Sequence, residues 1–180
     1  FELLKEKGVR VFAGARVRVH HAERLDPHAN YVVVANHLSL MDTPLMLGHL
    51  PLEFKFLAKR ELLKTPFIGW YLKRGGHLTV DRGSLRSSLE SMNECARLIR
   101  ERSLSVLIFP EGTRTVTPPV NEFKAGYGLI AKKAAAPIQT VFIDTNCRFL
   151  GKGWPLFKLP EFPLVYRVEL GKRFDYFAYP

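Results

Sequence analysis

Short apolar runs rich in β-branched residues punctuate this chain: Tyr-Val-Val-Val-Ala at 31–35, Val-Leu-Ile-Phe at 106–109 and Ile-Gln-Thr-Val-Phe-Ile at 138–143. A strand that is apolar on both faces is buried on both faces, the pattern of a mainly parallel sheet covered by helices. Residues 15–20 instead alternate, as a half-exposed strand does. Between the runs lie helical spacings. Leu85, Leu89, Met92, Ala96 and Ile99 recur at three and four residues, which predicts a one-sided helix of about five turns. The Ala-rich stretch 124–136 predicts a second helix, stopped by Pro137. Residues 1–7 also show roughly helical spacing before Gly8. Strands alternating with helices give an α/β class with one central sheet and helices on both faces. At 180 residues with no internal repeat, low-complexity tract or linker, the chain reads as one domain.

Charge narrows the partners. Lys and Arg number 27 against 17 Asp and Glu, a formal +10, which favours a phosphate-bearing substrate, an acidic lipid surface or nucleic acid. Cys95 and Cys147 are too few for a disulfide framework and lack metal-ligand spacing, so both read as small, partly buried apolar residues. No run of 18 apolar residues is present, so no stretch of this sequence predicts a membrane-spanning helix, and no signal peptide is visible. The sequence opens on Phe1 rather than Met, which leaves room for an anchor upstream.

The chemistry-bearing residues sit just after the strands, where α/β sheets place their sites. Asn36-His37-x-Ser39-x-x-Asp42 follows the first run. If a helix begins near Ser39, with Ser39 as its N-cap, Asp42 can reach one ring nitrogen of His37 and leave the other as a base. A helix-capping histidine with a first-turn aspartate would look the same. After the second run comes Pro110-Glu111-Gly112-Thr113-Arg114, where Gly112 permits close backbone approach and Arg114 can grip a phosphate through two parallel bonds. A turn closed by a Glu111–Arg114 ion pair is the plainer alternative. Lys59 and Val80-Asp81-Arg82 add cations at other strand ends.

Taken together these segments resemble the four blocks of the glycerolipid acyltransferases, above all the 1-acylglycerol-3-phosphate (lysophosphatidate) acyltransferases. The blocks are Asn36-His37-x-Ser39-x-x-Asp42, Gly76-x-x-x-Val80-Asp81-Arg82, Phe109-Pro110-Glu111-Gly112-Thr113-Arg114 and Ala136-Pro137-Ile138, in that order. Phe56-Leu57-Ala58-Lys59-Arg60-Glu61-Leu62 and Phe123-Lys124-x-Gly126 look like family segments as well, so the resemblance spans about 31–143. It implies transfer of a fatty acyl group from a coenzyme A or acyl carrier protein thioester to the hydroxyl of lysophosphatidate, a related lysophospholipid or a glycerol phosphate, with no bound cofactor, no metal and no covalent acyl-enzyme. His37 would be the general base and Asp42 its orienting carboxylate. Lys59, Arg82 and Arg114 would bind the acceptor phosphate, with Glu111, Gly112 and Thr113 shaping that pocket and Asn36, Ser39 and Lys124 supporting it. Two departures, Thr115-Val-Thr-Pro-Pro-Val120 in place of a Ser- and Gly-containing loop and Thr79 in place of an aromatic, bear on the acceptor.

A lipid acceptor has to be drawn from a bilayer. Phe67, Ile68, Trp70 and Tyr71 beside Lys73 and Arg74 combine bulky apolar groups, interfacial aromatics and cations, a composition suited to the headgroup level. Core packing with a basic loop behind it accounts for that composition equally well. The expected location is the cytoplasmic face of a membrane, peripheral or anchored through an upstream segment. Of the rivals, a serine hydrolase would need a Gly-x-Ser-x-Gly elbow that the sequence lacks. His20, His21, His28, His49 and His77 show no metal spacing. A nucleic-acid-binding module would align its cations in one stripe, whereas these gather after strands beside a His/Asp pair.

Overall fold

The computed structural model describes residues 10–12, 15–66, 68–81, 83–117, 119–155 and 158–176; Phe67, Arg82 and the helical spacing at 1–7 lie outside the described residues. Among the described residues eight strands form one sheet: β1 (Arg10–Phe12), β2 (Ala15–His20), β3 (Val32–Ala35), β4 (Phe54–Lys59), β5 (Leu78–Val80), β6 (Ser105–Ile108), β7 (Ile138–Thr145) and β8 (Leu164–Phe174). Their order is β1-β2-β8-β7-β3-β6-β4-β5. From β5 to β7 every pairing is parallel, with Val32 opposite Val106 and Ile138; β8 then runs antiparallel to β7.

Parallel neighbours need a crossover, and each one here carries a helix. α1 (Asp42–His49) joins β3 to β4, α2 (Ile68–Arg74) joins β4 to β5, α3 (Leu85–Arg102) joins β5 to β6, and α4 (Gly126–Ala134) joins β6 to β7. The pleat of β3 divides the core. Val33 and Ala35 pack with Leu45, Met46 and Leu72 of α1 and α2, while Val32 and Val34 pack with Cys95, Ala96, Ile99, Ile130 and Ala131 of α3 and α4. The mainly parallel sheet with helices on both faces is therefore present. Cys95 is wholly buried and Cys147 half-buried, as small apolar residues would be; burial pushes the Cys95 thiol up to about 12.

Three local expectations need correction. α1 begins at Asp42, not near Ser39, because residues 37–41 form a loop gathered around the Asp42 carboxylate. The stripe on α3 does not face inward along its whole length: Leu85 and Leu89 are exposed, and Ser87 and Ser91 point in instead. That half of the helix lies over polar backbone, where Ser87 Oγ accepts from the Asp81 N–H and Ser91 Oγ donates to the Thr79 carbonyl. α4 spans 126–134, so Lys124 stands in the preceding loop, with its N–H donating to the Pro110 carbonyl (3.0 Å).

The connections also decide where a site can form. β3 and β6 are neighbours, yet the chain leaves β3 for α1 on one face and β6 for α4 on the other. The carboxyl ends of two such strands part to open a crevice. The loop bearing His37 and the loop bearing Glu111 to Arg114 face each other across it.

Candidate active site

Where β3 ends, Asn36 carries the ladder one step further through its side chain. Its buried amide donates from Nδ2 to the Ile143 carbonyl (2.8 Å), and its Oδ1 accepts from the Ile143 N–H (2.7 Å). One rung of β-structure is thus made by a side chain, which frees the backbone to turn and puts His37 at the carboxyl end of a central strand.

The Asp42 carboxylate is wholly buried and organises the turn that follows. Its Oδ2 accepts from the Leu38 N–H (2.6 Å), the Ser39 N–H (2.9 Å) and His37 Nδ1 (2.8 Å). The Ser39 hydroxyl donates to Oδ1 (3.4 Å) and accepts from the Met41 N–H (2.9 Å). A carboxylate only accepts, so the proton sits on His37 Nδ1 and the lone pair on Nε2. The imidazole also stacks on Phe109 at 4.1 Å between ring centres and 16° between planes. Phe109 belongs to the strand end, and sequence alone gave its ring no role. A bulky aromatic one residue before the Pro110-Glu111 pair was the available signal.

Across the crevice the backbone turns at Gly112, whose φ of 70° lies in the left-handed region that glycine adopts without strain. No Glu111–Arg114 ion pair closes this turn. Arg114 Nη1 instead donates to the carbonyls of Leu150 (2.8 Å) and Gly151 (3.0 Å), leaving the Nε–Nη2 edge of the guanidinium outside those two bonds. Glu111 is buried, and its carboxylate accepts from the His37 N–H, the Asn121 N–H and the Thr115 hydroxyl. It stands behind the pocket wall, not on it. Thr115, the first residue of the segment that departs from the family pattern, is buried with it and bonds its carboxylate, and it does not line the cleft.

His37 lines a cleft of about 810 Å³. Phe109, Gly112, Thr113 and Arg114 form one wall, and the cleft continues over α1, β4 and α2 past Leu40, Pro44, Leu47, Lys59, Leu62, Ile68 and Tyr71. The structure therefore brings His37, Lys59, Gly112, Thr113 and Arg114 to one cavity. Lys59 is exposed and pairs with Glu61 at 3.0 Å. Below the α2 wall, His77 stacks on Phe56 at 3.9 Å, and burial, with Lys55 nearby, pushes its imidazole down to about 4. It is then a neutral ring at pH 7, filling space.

α2 presents two unlike faces. Gly69 and Leu72 face the core, and a Cβ at Gly69 would collide with the Leu63 carbonyl. Trp70 is 67% exposed, and Ile68, Tyr71, Lys73 and Arg74 are exposed as well. Core packing accounts for Leu72 but not for Trp70. Among the described residues no helix is long and apolar enough to cross a membrane.

Comparison with known proteins agrees with this fold. The crystal structure of the 1-acyl-sn-glycerophosphate acyltransferase PlsC from Thermotoga maritima superposes with a TM-score of 0.68 at 28% identity, covering 91% of this chain and 63% of that one. The 1-acyl-sn-glycerol-3-phosphate acyltransferase of Cocos nucifera is 35% identical over 107 residues, 59% of this chain and 35% of that protein. The alpha enzyme of that name from Homo sapiens is 32% identical over 144 residues, 80% of this chain and 51% of that protein. The chain thus spans about a third to a half of the length of the curated relatives it matches. The profile of the Acyltransferase family matches residues 16–144, which take in the His37 loop, the cleft and the Glu111–Arg114 turn, and the chain belongs to that family.

Proposed function

We propose that this chain transfers a fatty acyl group from an acyl thioester to the free hydroxyl of lysophosphatidate. The observation that carries the reading is the His37 Nδ1–Asp42 Oδ2 contact of 2.8 Å at the mouth of a largely apolar cleft with Lys59 and Arg114 on its walls. His37 Nε2 takes the proton of the acceptor hydroxyl as its oxygen attacks the thioester carbonyl carbon. The carbon–sulfur bond breaks, and the departing thiolate takes the proton back from the imidazolium. The acyl chain lies along Leu40, Leu47 and Leu62. No nucleophile is needed on the protein, since the acceptor supplies the attacking oxygen. The donor is a coenzyme A or acyl carrier protein thioester, and no cofactor takes part.

The test offers both donor types with a mixture of lysophosphatidate and neutral-headgroup lysolipids, and identifies products by mass spectrometry. Phosphatidate as the main product supports the proposal. Release of free fatty acid without any acylated acceptor would replace it with a thioesterase.

Arg114 and Lys59, with Arg82 from outside the described residues, are assigned to the acceptor phosphate. A charge-assisted contact is worth about 1.5–3 kcal/mol, or one to two decades of affinity. Arg114→Ala is therefore expected to raise KM for lysophosphatidate by about 10- to 100-fold and to affect monoacylglycerol far less. Because Arg114 also holds the Leu150 and Gly151 carbonyls, the ratio between the two acceptors is the measure. Equal loss with both acceptors would leave Arg114 with the loop alone.

The exposed face of α2 is the proposed contact with the cytoplasmic face of a membrane. Trp70 and Ile68 supply apolar area, and Lys73 and Arg74 add about 1 kcal/mol each near an anionic surface, a contribution that salt screens. Trp70→Ala should weaken binding to anionic vesicles at high salt, and Lys73→Ala with Arg74→Ala mainly at low salt. A short-chain soluble acceptor should turn over normally in both. Loss of soluble turnover equal to the loss of vesicle binding would make α2 part of the catalytic fold and not a docking face.

A further inference from the structure

We propose that Glu111 and Thr115 are positioning residues that grip the peptide of His37 from both ends and so set where its imidazole stands in the cleft. The inference rests on the reading of His37 as the base. The His37 N–H donates to Glu111 Oε1 (2.8 Å), and the His37 carbonyl accepts from the Thr115 N–H (2.5 Å). The two partners are themselves locked. The Thr115 hydroxyl is shared between both carboxylate oxygens (2.9 and 2.7 Å), and the Asn121 N–H donates to Oε2 (2.8 Å). Asn121 Oδ1 then accepts from the N–H groups of Val116 (3.1 Å) and Thr117 (3.3 Å), which ties the loop back on itself.

The chemistry selects these residue types. Three donors converge on the Glu111 carboxylate, which has acceptors only; a glutamine would turn its NH2 toward one of them. Both side chains are buried, with 4% of Glu111 and 3% of Thr115 exposed, so leaving any of these groups unpaired costs more than in water. A carboxylate facing the cleft would repel an acceptor phosphate, whereas here its charge points away from the cleft into backbone N–H groups. Consequently His37 is fixed by two independent loops. Its backbone is held by the turn after β6 and its ring by Asp42 from the turn after β3. The crevice between β3 and β6 cannot widen or shift without moving the imidazole.

The test measures kcat and acceptor KM for Thr115→Val, Thr115→Ser and Glu111→Gln, with His37→Ala in parallel, and follows the His37 backbone amide by ¹⁵N–¹H correlation spectroscopy without substrate. Misplacement of a catalytic group by about 1 Å costs on the order of 100-fold, so Thr115→Val and Glu111→Gln should lower kcat by about 10- to 100-fold. Acceptor KM should stay within about twofold, as expected for a group that does not touch the acceptor. Both variants should move the His37 amide resonance, and Thr115→Ser, which keeps the hydroxyl, should restore both kcat and resonance. A raised KM with unchanged kcat would put Glu111 in acceptor binding and overturn the proposal. Wild-type kcat in Thr115→Val and Glu111→Gln while His37→Ala is inactive would overturn it too. If instead His37→Ala keeps its turnover while the amide still moves in Thr115→Val, the base reading fails, and with it the catalytic meaning of an intact grip. Should Thr115→Val not fold, Glu111→Gln decides by the same two readouts.

Discussion

Replacing His37 with alanine is expected to abolish acyl transfer while the protein stays folded. General-base catalysis contributes on the order of 10²–10⁴ in rate, so turnover should fall to about 1% or below. The fold should survive, because what is lost is one half-buried ring, stacked on Phe109. Asp42 keeps the Leu38 N–H, the Ser39 N–H and the Ser39 hydroxyl, so its buried charge is not stranded. The measurement is kcat at saturating donor and acceptor, with thermal unfolding as the control. Added imidazole should recover part of the activity by entering the space beside Phe109. Retention of more than a few per cent of wild-type turnover at an unchanged Tm would remove His37 from the base role.

What the sequence made legible, and what it did not, follows from the range of the interactions. β7, expected to be buried on both faces, buries only alternate residues and exposes Phe142; strands β3 and β6 were readable because burial on both faces forces an unbroken apolar run. β8 was not. Its eleven residues include Arg167, Glu169, Lys172 and Arg173, since one face of it is solvated and its place between β2 and β7 is set by long-range pairing. In the site, the His37–Asp42 pair was readable as a spacing, but the reason it closes was misplaced. Asp42 is reached because two backbone N–H groups fold onto its carboxylate, not because a helix starting at Ser39 carries it there. The same holds across the crevice. Pro110-Glu111-Gly112-Thr113-Arg114 announced a site, while the division of labour within it needed coordinates: Arg114 lines the cleft, and Glu111 turns behind it to the His37 peptide. Thr115 opens the segment that departs from the family pattern near the acceptor, yet its buried hydroxyl bonds the Glu111 carboxylate.

Asp42→Asn is expected to cost nearly as much as removing the histidine, and it separates the two jobs of this carboxylate. The first job is structural: Oδ2 gathers the Leu38 and Ser39 N–H groups at a fully buried position. An alanine there would leave both donors unpaired, at about 1–3 kcal/mol each, and confuse folding with chemistry. Asparagine avoids this, because its carbonyl oxygen can take the place of Oδ2 while its NH2 turns toward the Ser39 hydroxyl, which can accept. The loop and Tm should therefore be nearly preserved. The second job is electrostatic. When His37 takes the acceptor proton, the ring becomes an imidazolium, and a carboxylate 2.8 Å from Nδ1 stabilises that charge in a site shielded from water. A neutral amide does so weakly, although its carbonyl oxygen in the place of Oδ2 still accepts from Nδ1. In a protease triad the same exchange lowers turnover about 10⁴-fold, and about 10²–10⁴ is expected here. Ring ¹⁵N spectra of His37 should show the Nδ1-protonated tautomer in variant and parent alike, so that the lost turnover reports the lost charge. Turnover within about tenfold of the parent, at an unchanged Tm, would leave Asp42 with its loop and no part in the proton transfer.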